Sequence, residues 1–154
     1  MKKKLGNILI FVLIIGLTIG YGIYKDSQST VTVNKIYTMD FQEQALSDLE
    51  NEKGNGNYTL QNMFMKYNPF STNIQSMYVY FNTYKAAKIT YTVSCADYAD
   101  FTATAYQAKE FQKEHEFQLI GLIPDCTNTI TITATYKDGT SQSISTIKHT
   151  ITFR

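Results

Sequence analysis

A single arginine, the terminal Arg154, occurs in the 154 residues. No cluster of guanidinium groups around a phosphate or sulfate can be assembled from this chain. Tryptophan is absent, and there are two cysteines, two prolines and two histidines. Two histidines far apart in the chain, with no thiol pair beside either, do not make a zinc site. A basic surface is missing too. From Asp26 onward nine lysines and Arg154 face thirteen Asp and Glu, a net charge of −3, which argues against nucleic-acid binding. No phosphate loop, nucleophile elbow or metal-ligand spacing occurs, and no cofactor is expected. What is present is an apolar and aromatic chain: 44% hydrophobic residues, twelve Tyr and nine Phe against 18% charged residues. That is enough to build one core and too much for a disordered tail.

Charge is absent from Leu5 through Tyr24, directly after Lys2, Lys3 and Lys4. Twenty such residues in a helix span about 30 Å, the thickness of a bilayer's hydrocarbon core. The lysines keep their side cytoplasmic, so residues 5–24 read as a single-pass anchor in the plasma membrane, with the rest outside the cell. A cleaved signal peptide is the rival reading. It is disfavoured because no Ala precedes Ala45, leaving no Ala-x-Ala site. No lipobox cysteine is present. Gly16 and Gly20 have the small-xxx-small spacing of helix dimers, although glycine is common in such helices.

Residues 26–54 read as a stalk and an amphipathic helix. Asp40 is the candidate N-cap, with Glu43 in the capping-box position. Phe41, Ala45, Leu46 and Leu49 share one face, and Gly54 is the terminator. Gly54-Asn55-Gly56-Asn57 marks a turn or hinge.

Beyond it the period changes to two, and residues 55–154 read as one β-domain. Strand candidates are Tyr58–Leu60, Met63–Tyr67, Met77–Phe81, Lys88–Val93, Phe101–Ala108, Glu116–Leu119 and Thr129–Tyr136. Met77–Phe81 is apolar throughout, as for a strand covered on both faces. Thr129–Tyr136 alternates threonines with Ile130, Ile132, Ala134 and Tyr136. Asp138-Gly139 predicts a type I′ hairpin turn. Ile144 is out of phase with Ile147, His149, Ile151 and Phe153, which predicts a bulge near Ser145-Thr146. Seven or so short strands with regular turns predict an all-β antiparallel sandwich of immunoglobulin or fibronectin type III kind.

Four groups are candidates for chemistry or contact. His115 lies between Glu114 and Glu116, which should raise its pKa more than orient it. His149 is in phase with the apolar strand, and both histidines read as structural. Cys95 and Cys126 lie outside the membrane in this topology, where a disulfide is allowed, and a bridge across their 31-residue separation would be worth about 3–4 kcal/mol. Two unpaired cysteines remain the alternative. Tyr78, Tyr80 and Phe81 are candidates for an aromatic packing face or a ligand platform.

Gly121-Leu122-Ile123-Pro124 followed by the Thr/Ile strand resembles the later half of a fibronectin type III domain. Cys126 and Asn128 stand where the Thr and Tyr of its tyrosine corner are expected. A more specific resemblance is carried by Gly56–Leu60, Tyr67-Asn68-Pro69-Phe70, Tyr78–Phe81, Lys88–Val93, Asp100-Phe101-Thr102, Glu114–Phe117 and Gly121–Pro124. In order and spacing they resemble the N-terminal immunoglobulin-like domain of bacterial aryl-sulfate sulfotransferases. Enzymes of that family move a sulfuryl group between a phenolic sulfate ester and a phenol, through a histidine on a β-propeller that follows this domain. The resemblance carries no catalytic residue onto this chain. It implies a non-catalytic accessory domain whose partner is the propeller or a second copy. The alternative is a free-standing anchored binding module for a cell-surface glycan or protein. Since the resemblance is bacterial, Asn57-Tyr58-Thr59 reads as a chance match to the glycosylation acceptor pattern.

Overall fold

A computed structural model describes residues 34–105 and 110–150, and the backbone alone of residues 146–149. The uncharged run 5–24, the Gly16–Gly20 spacing, the end of the expected strand at Ala108 and the His149 side chain lie outside the described residues. Among the described residues no helix is long and apolar enough to cross a membrane.

After a short 3-10 turn at Lys35–Tyr37, the helix α1 spans Met39–Lys53. Its N-cap is Thr38 and not Asp40: Thr38 is extended, and its Oγ1 accepts from the Phe41 amide at 3.4 Å. Asp40 instead lies in the first turn, where a carboxylate suits the positive end of the helix. Gly54 ends the helix at φ +52°, donating to the Glu50 carbonyl at 2.8 Å. Of the expected apolar face, Leu49 is buried and Phe41 and Ala45 are half-buried. Leu46, at 49% exposure, faces solvent.

Six strands follow among the described residues: β1 Phe64–Tyr67, β2 Ser76–Ser94, β3 Phe101–Thr104, β4 Gln112–Ile120, β5 Thr127–Tyr136 and β6 Ser141–Thr150. Tyr58–Leu60 contributes only isolated bridges. The expected strands Met77–Phe81 and Lys88–Val93 are one continuous 19-residue strand. Its first half pairs with β1 on one side and β4 on the other. Its second half pairs with β3 and β5, and β6 extends the sheet beyond β5. All pairs are antiparallel.

One hydrogen-bonded sheet thus forms both layers. Ser76 and Tyr91 would stand about 50 Å apart along a straight strand. Yet the Tyr91 hydroxyl accepts from the amide of Ile120, the residue opposite Ser76. The ring of Tyr91 also lies 6.0 Å from that of Phe117, nearly parallel. β2 must therefore carry the chain from one layer to the other, and its register with β4 shifts between Asn82 and Ala87. Between the layers lie Met77, Val79 and Phe81 from the first half of β2, Ile89, Tyr91 and Val93 from the second, Phe117 and Leu119 from β4, and Ile130, Ile132 and Ala134 from β5. The described residues form a mostly antiparallel β-fold with one α-helix, consistent with an immunoglobulin-like sandwich.

The β5–β6 hairpin carries two local outcomes. Ile130 pairs with Ile147 and Thr131 with Ser145, so Thr146 is the extra residue at the expected bulge. Ile144 then pairs with Ile132 and packs on the core. The turn differs from expectation. Positive φ falls on Gly139, at +82°, and not on Asp138. Gly139 donates to the Tyr136 carbonyl, and Tyr136 to that of Thr140, closing a three-residue loop with glycine at its left-handed position. Asp138 keeps an ordinary backbone and uses Oδ1 to hold the Thr140 amide at 3.0 Å.

Candidate functional site

The strand pleat divides Tyr78, Tyr80 and Phe81. Phe81 points inward and is fully buried, 6.4 Å from Phe117, so it belongs to the core and not to an outer face. Tyr78 and Tyr80 point outward. There they join Phe64 of β1 and Tyr58 of the preceding loop, with Tyr58–Phe64 at 5.4 Å, Tyr58–Tyr80 at 6.1 Å and Phe64–Tyr78 at 6.0 Å.

The last turn of α1 covers this cluster. Lys53 Nζ lies 4.7 Å from the centre of the Tyr80 ring and donates to the Tyr78 hydroxyl at 3.4 Å. Tyr58 donates to the Lys53 carbonyl at 2.8 Å, fixing the helix end from the other side. Lys66 of β1 reaches Glu52 at 2.6 Å, and Gln42 donates to the Phe70 carbonyl at 3.2 Å. A cleft of about 220 Å³ remains between α1 and β1, lined in part by Phe41, Ala45, Leu49 and Pro69. Burial pushes the Tyr78 pKa up to about 12, assisted by Glu116 and opposed by Lys53. Burial works against the charge on Lys53, but bonds to Glu50 and Tyr78 outweigh it and raise the pKa.

The far end of β2 is held covalently. Cys95, just past β2, is bonded to Cys126, just before β5, with Cα atoms 6.3 Å apart. Asn128 ties down the same turn. Its Oδ1 accepts from the Ile123 amide at 2.7 Å, and its Nδ2 donates to the carbonyls of Ile123, at 2.8 Å, and Cys126. Asn128 thus does from a buried position what the absent corner tyrosine would do: it fastens a strand to the turn before it. Beside the disulfide is a shallow, open depression of about 430 Å³ that includes Tyr98, Asp100 and Thr129.

His115 sits between the layers, without solvent exposure. Its Nε2 lies 3.0 Å from Thr83 Oγ1 and its ring 5.0 Å from that of Phe81. Burial lowers its pKa to about 4. The expected upward pull of Glu114 and Glu116 does not operate, since both are exposed on the other face of β4. Sequence reasoning passed over the aromatic residues that do reach solvent: Tyr37, Tyr84, Tyr98 and Phe101. Their signal is position outside the alternating runs or at strand edges.

No reaction centre is assembled from the described side chains; they build an immunoglobulin-like module with a helix on one face and a disulfide at one end. Comparison with known families adds the particular kind. The model of the arylsulfotransferase Ig-like domain matches residues 64–152, which takes in all six strands, and the chain belongs to that family. No curated protein matches the chain.

Proposed function

We propose that this chain is the N-terminal accessory domain of a membrane-anchored aryl-sulfate sulfotransferase, acting outside the cytoplasm and without catalytic residues of its own. The family match over the six strands carries this reading. The domain's role is to pack against the propeller that performs sulfuryl transfer, or against a second copy. Two further observations support it. The Cys95–Cys126 bond suits an oxidising compartment. The uncharged run 5–24 behind three lysines suits an anchor with its basic end inside. The size of the native product in the membrane fraction tests the reading. Antibody against residues 55–154 should detect a membrane-bound species several times larger than 17.6 kDa, or a 17.6 kDa species co-purifying with a propeller. A lone soluble species would contradict it.

The depression beside Tyr98 favours a second reading, a free-standing anchored module that binds a glycan or protein. Membrane-bound product at 17.6 kDa with no propeller in its complexes would select it.

A further inference from the structure

The turn Gly54-Asn55-Gly56-Asn57 joins the end of α1 to the first residues of the β-domain. Asn55 is the chain's one asparagine followed by glycine. Glycine puts no side chain in the way of its own backbone nitrogen, so that nitrogen can approach the amide of the residue before it. The ring of Tyr58 packs on the Cα of Gly56, where an added Cβ would collide with it. Asn55 and Gly56 are both exposed. Neither the Asn55 side chain nor the Gly56 amide makes a hydrogen bond among the described residues.

Asp138-Gly139 is the internal control. It also presents a side-chain carbonyl before a glycine, but every reacting group is engaged. Gly139 donates its amide to the Tyr136 carbonyl at 3.0 Å. Asp138 Oδ1 accepts from Thr140, and Oδ2 lies 3.2 Å from Lys85 Nζ.

We propose that Asn55 is a site of spontaneous deamidation, and that its product loosens α1 from the sheet. The Gly56 nitrogen loses its proton and attacks Asn55 Cγ. The new N–Cγ bond forms, the Cγ–Nδ2 bond breaks, and the nitrogen leaves as ammonia with the proton it needs. Water then opens the cyclic imide. Attack at Cγ gives aspartate, and attack at the main-chain carbonyl gives isoaspartate, so the overall change consumes one water and releases one ammonia. Asparagine is a thermolabile residue for this reason. Either product places a carboxylate just past the C-terminus of α1, where the helix already presents its negative end and carries Glu50 and Glu52. Isoaspartate also adds a methylene to the main chain between Lys53 and Tyr58, whose hydroxyl bonds the Lys53 carbonyl.

Purified full chain is incubated at mildly alkaline pH, and aliquots taken over days are mapped by tandem mass spectrometry, with isoaspartate quantified. Asn55 should convert about ten-fold or more faster than Asn62, Asn73 or Asn82, and than Asp138-Gly139 rearranges. Asn55 remaining an amide throughout, or Asp138-Gly139 rearranging as fast, would overturn the site. For the consequence, amide hydrogen exchange of residues 39–53 is compared in wild type, N55D and N55Q. N55D should exchange faster than the other two; equal rates in all three would overturn the loosening of α1.

Discussion

On the outer face of the first half of β2, Tyr78 and Tyr80 lie beneath Lys53 in the last turn of α1. On the outer face of the second half, Thr131, Thr133 and Thr135 of β5 are only half-buried and bond Ser145, Ser143 and Ser141 of β6. The same strand supplies both faces. Its first half is buried on both sides from Ser76 to Val79, while its second alternates between buried Ile89, Tyr91 and Val93 and more exposed Lys88, Thr90 and Thr92. A sheet face written in aromatic residues needs a cover, and α1 supplies it. A face written in threonine and serine satisfies its own hydroxyls and needs none. The helix is thus part of the domain's packing although the family match begins after it, at residue 64.

Changes on the two faces should differ most. Tyr78→Ala removes a buried ring beneath α1 and should cost about 3–5 kcal/mol in urea unfolding, whereas Thr133→Ala on the open face should cost no more than about 1 kcal/mol. Similar losses at both would break the contrast. Next in size is the staple at the end of the open half-sheet. Cys126→Ser should cost about 2–4 kcal/mol, and reductant should destabilise the wild type by a similar amount while leaving the variant unchanged.

Acid probes the core that both halves share. The folded pKa of His115 is about 4, below the 6.5 of an exposed histidine, so the unfolded chain binds the extra proton first. This contribution is fully present above pH 6.5 and is lost as pH falls through about 4. It amounts to at most about 3 kcal/mol, and His115→Gln should flatten that part of the stability–pH profile. The smallest effects sharpen the comparison within α1 itself. Lys53→Met should cost about 1 kcal/mol through the lost bond and cation–π contact, and Leu46→Ala on its exposed face less than about 0.5 kcal/mol.

Much of this was legible in the residues. Gly54 as the helix stop, the bulge at Thr146 and the inward set of β5 all follow from local chemistry and period. The continuous apolar run at Met77–Phe81 correctly signalled cover on both faces, but not that α1 was the cover. What escaped were choices made at longer range or between near-equivalent residues. Thr38 and Asp40 are both competent caps, and the backbone at Thr38 decides between them. Nothing in Asn82–Ala87 signals that β2 continues unbroken, because the continuity depends on partners far along the chain. The pKa of His115 could not be read from its charged neighbours, since the pleat sends them to the opposite side. The two-residue turn expected at Asp138-Gly139 gave way to a three-residue loop because Asp138 is occupied with Thr140 and Lys85.

Native-state hydrogen exchange on the full chain tests most directly whether α1 belongs to the fold. If the helix is docked, the amides of residues 45–54 should be strongly protected and should open together with those of the first half of β2. Exchange of those helix amides at the rates of an isolated peptide, while β2 stays protected, would contradict it.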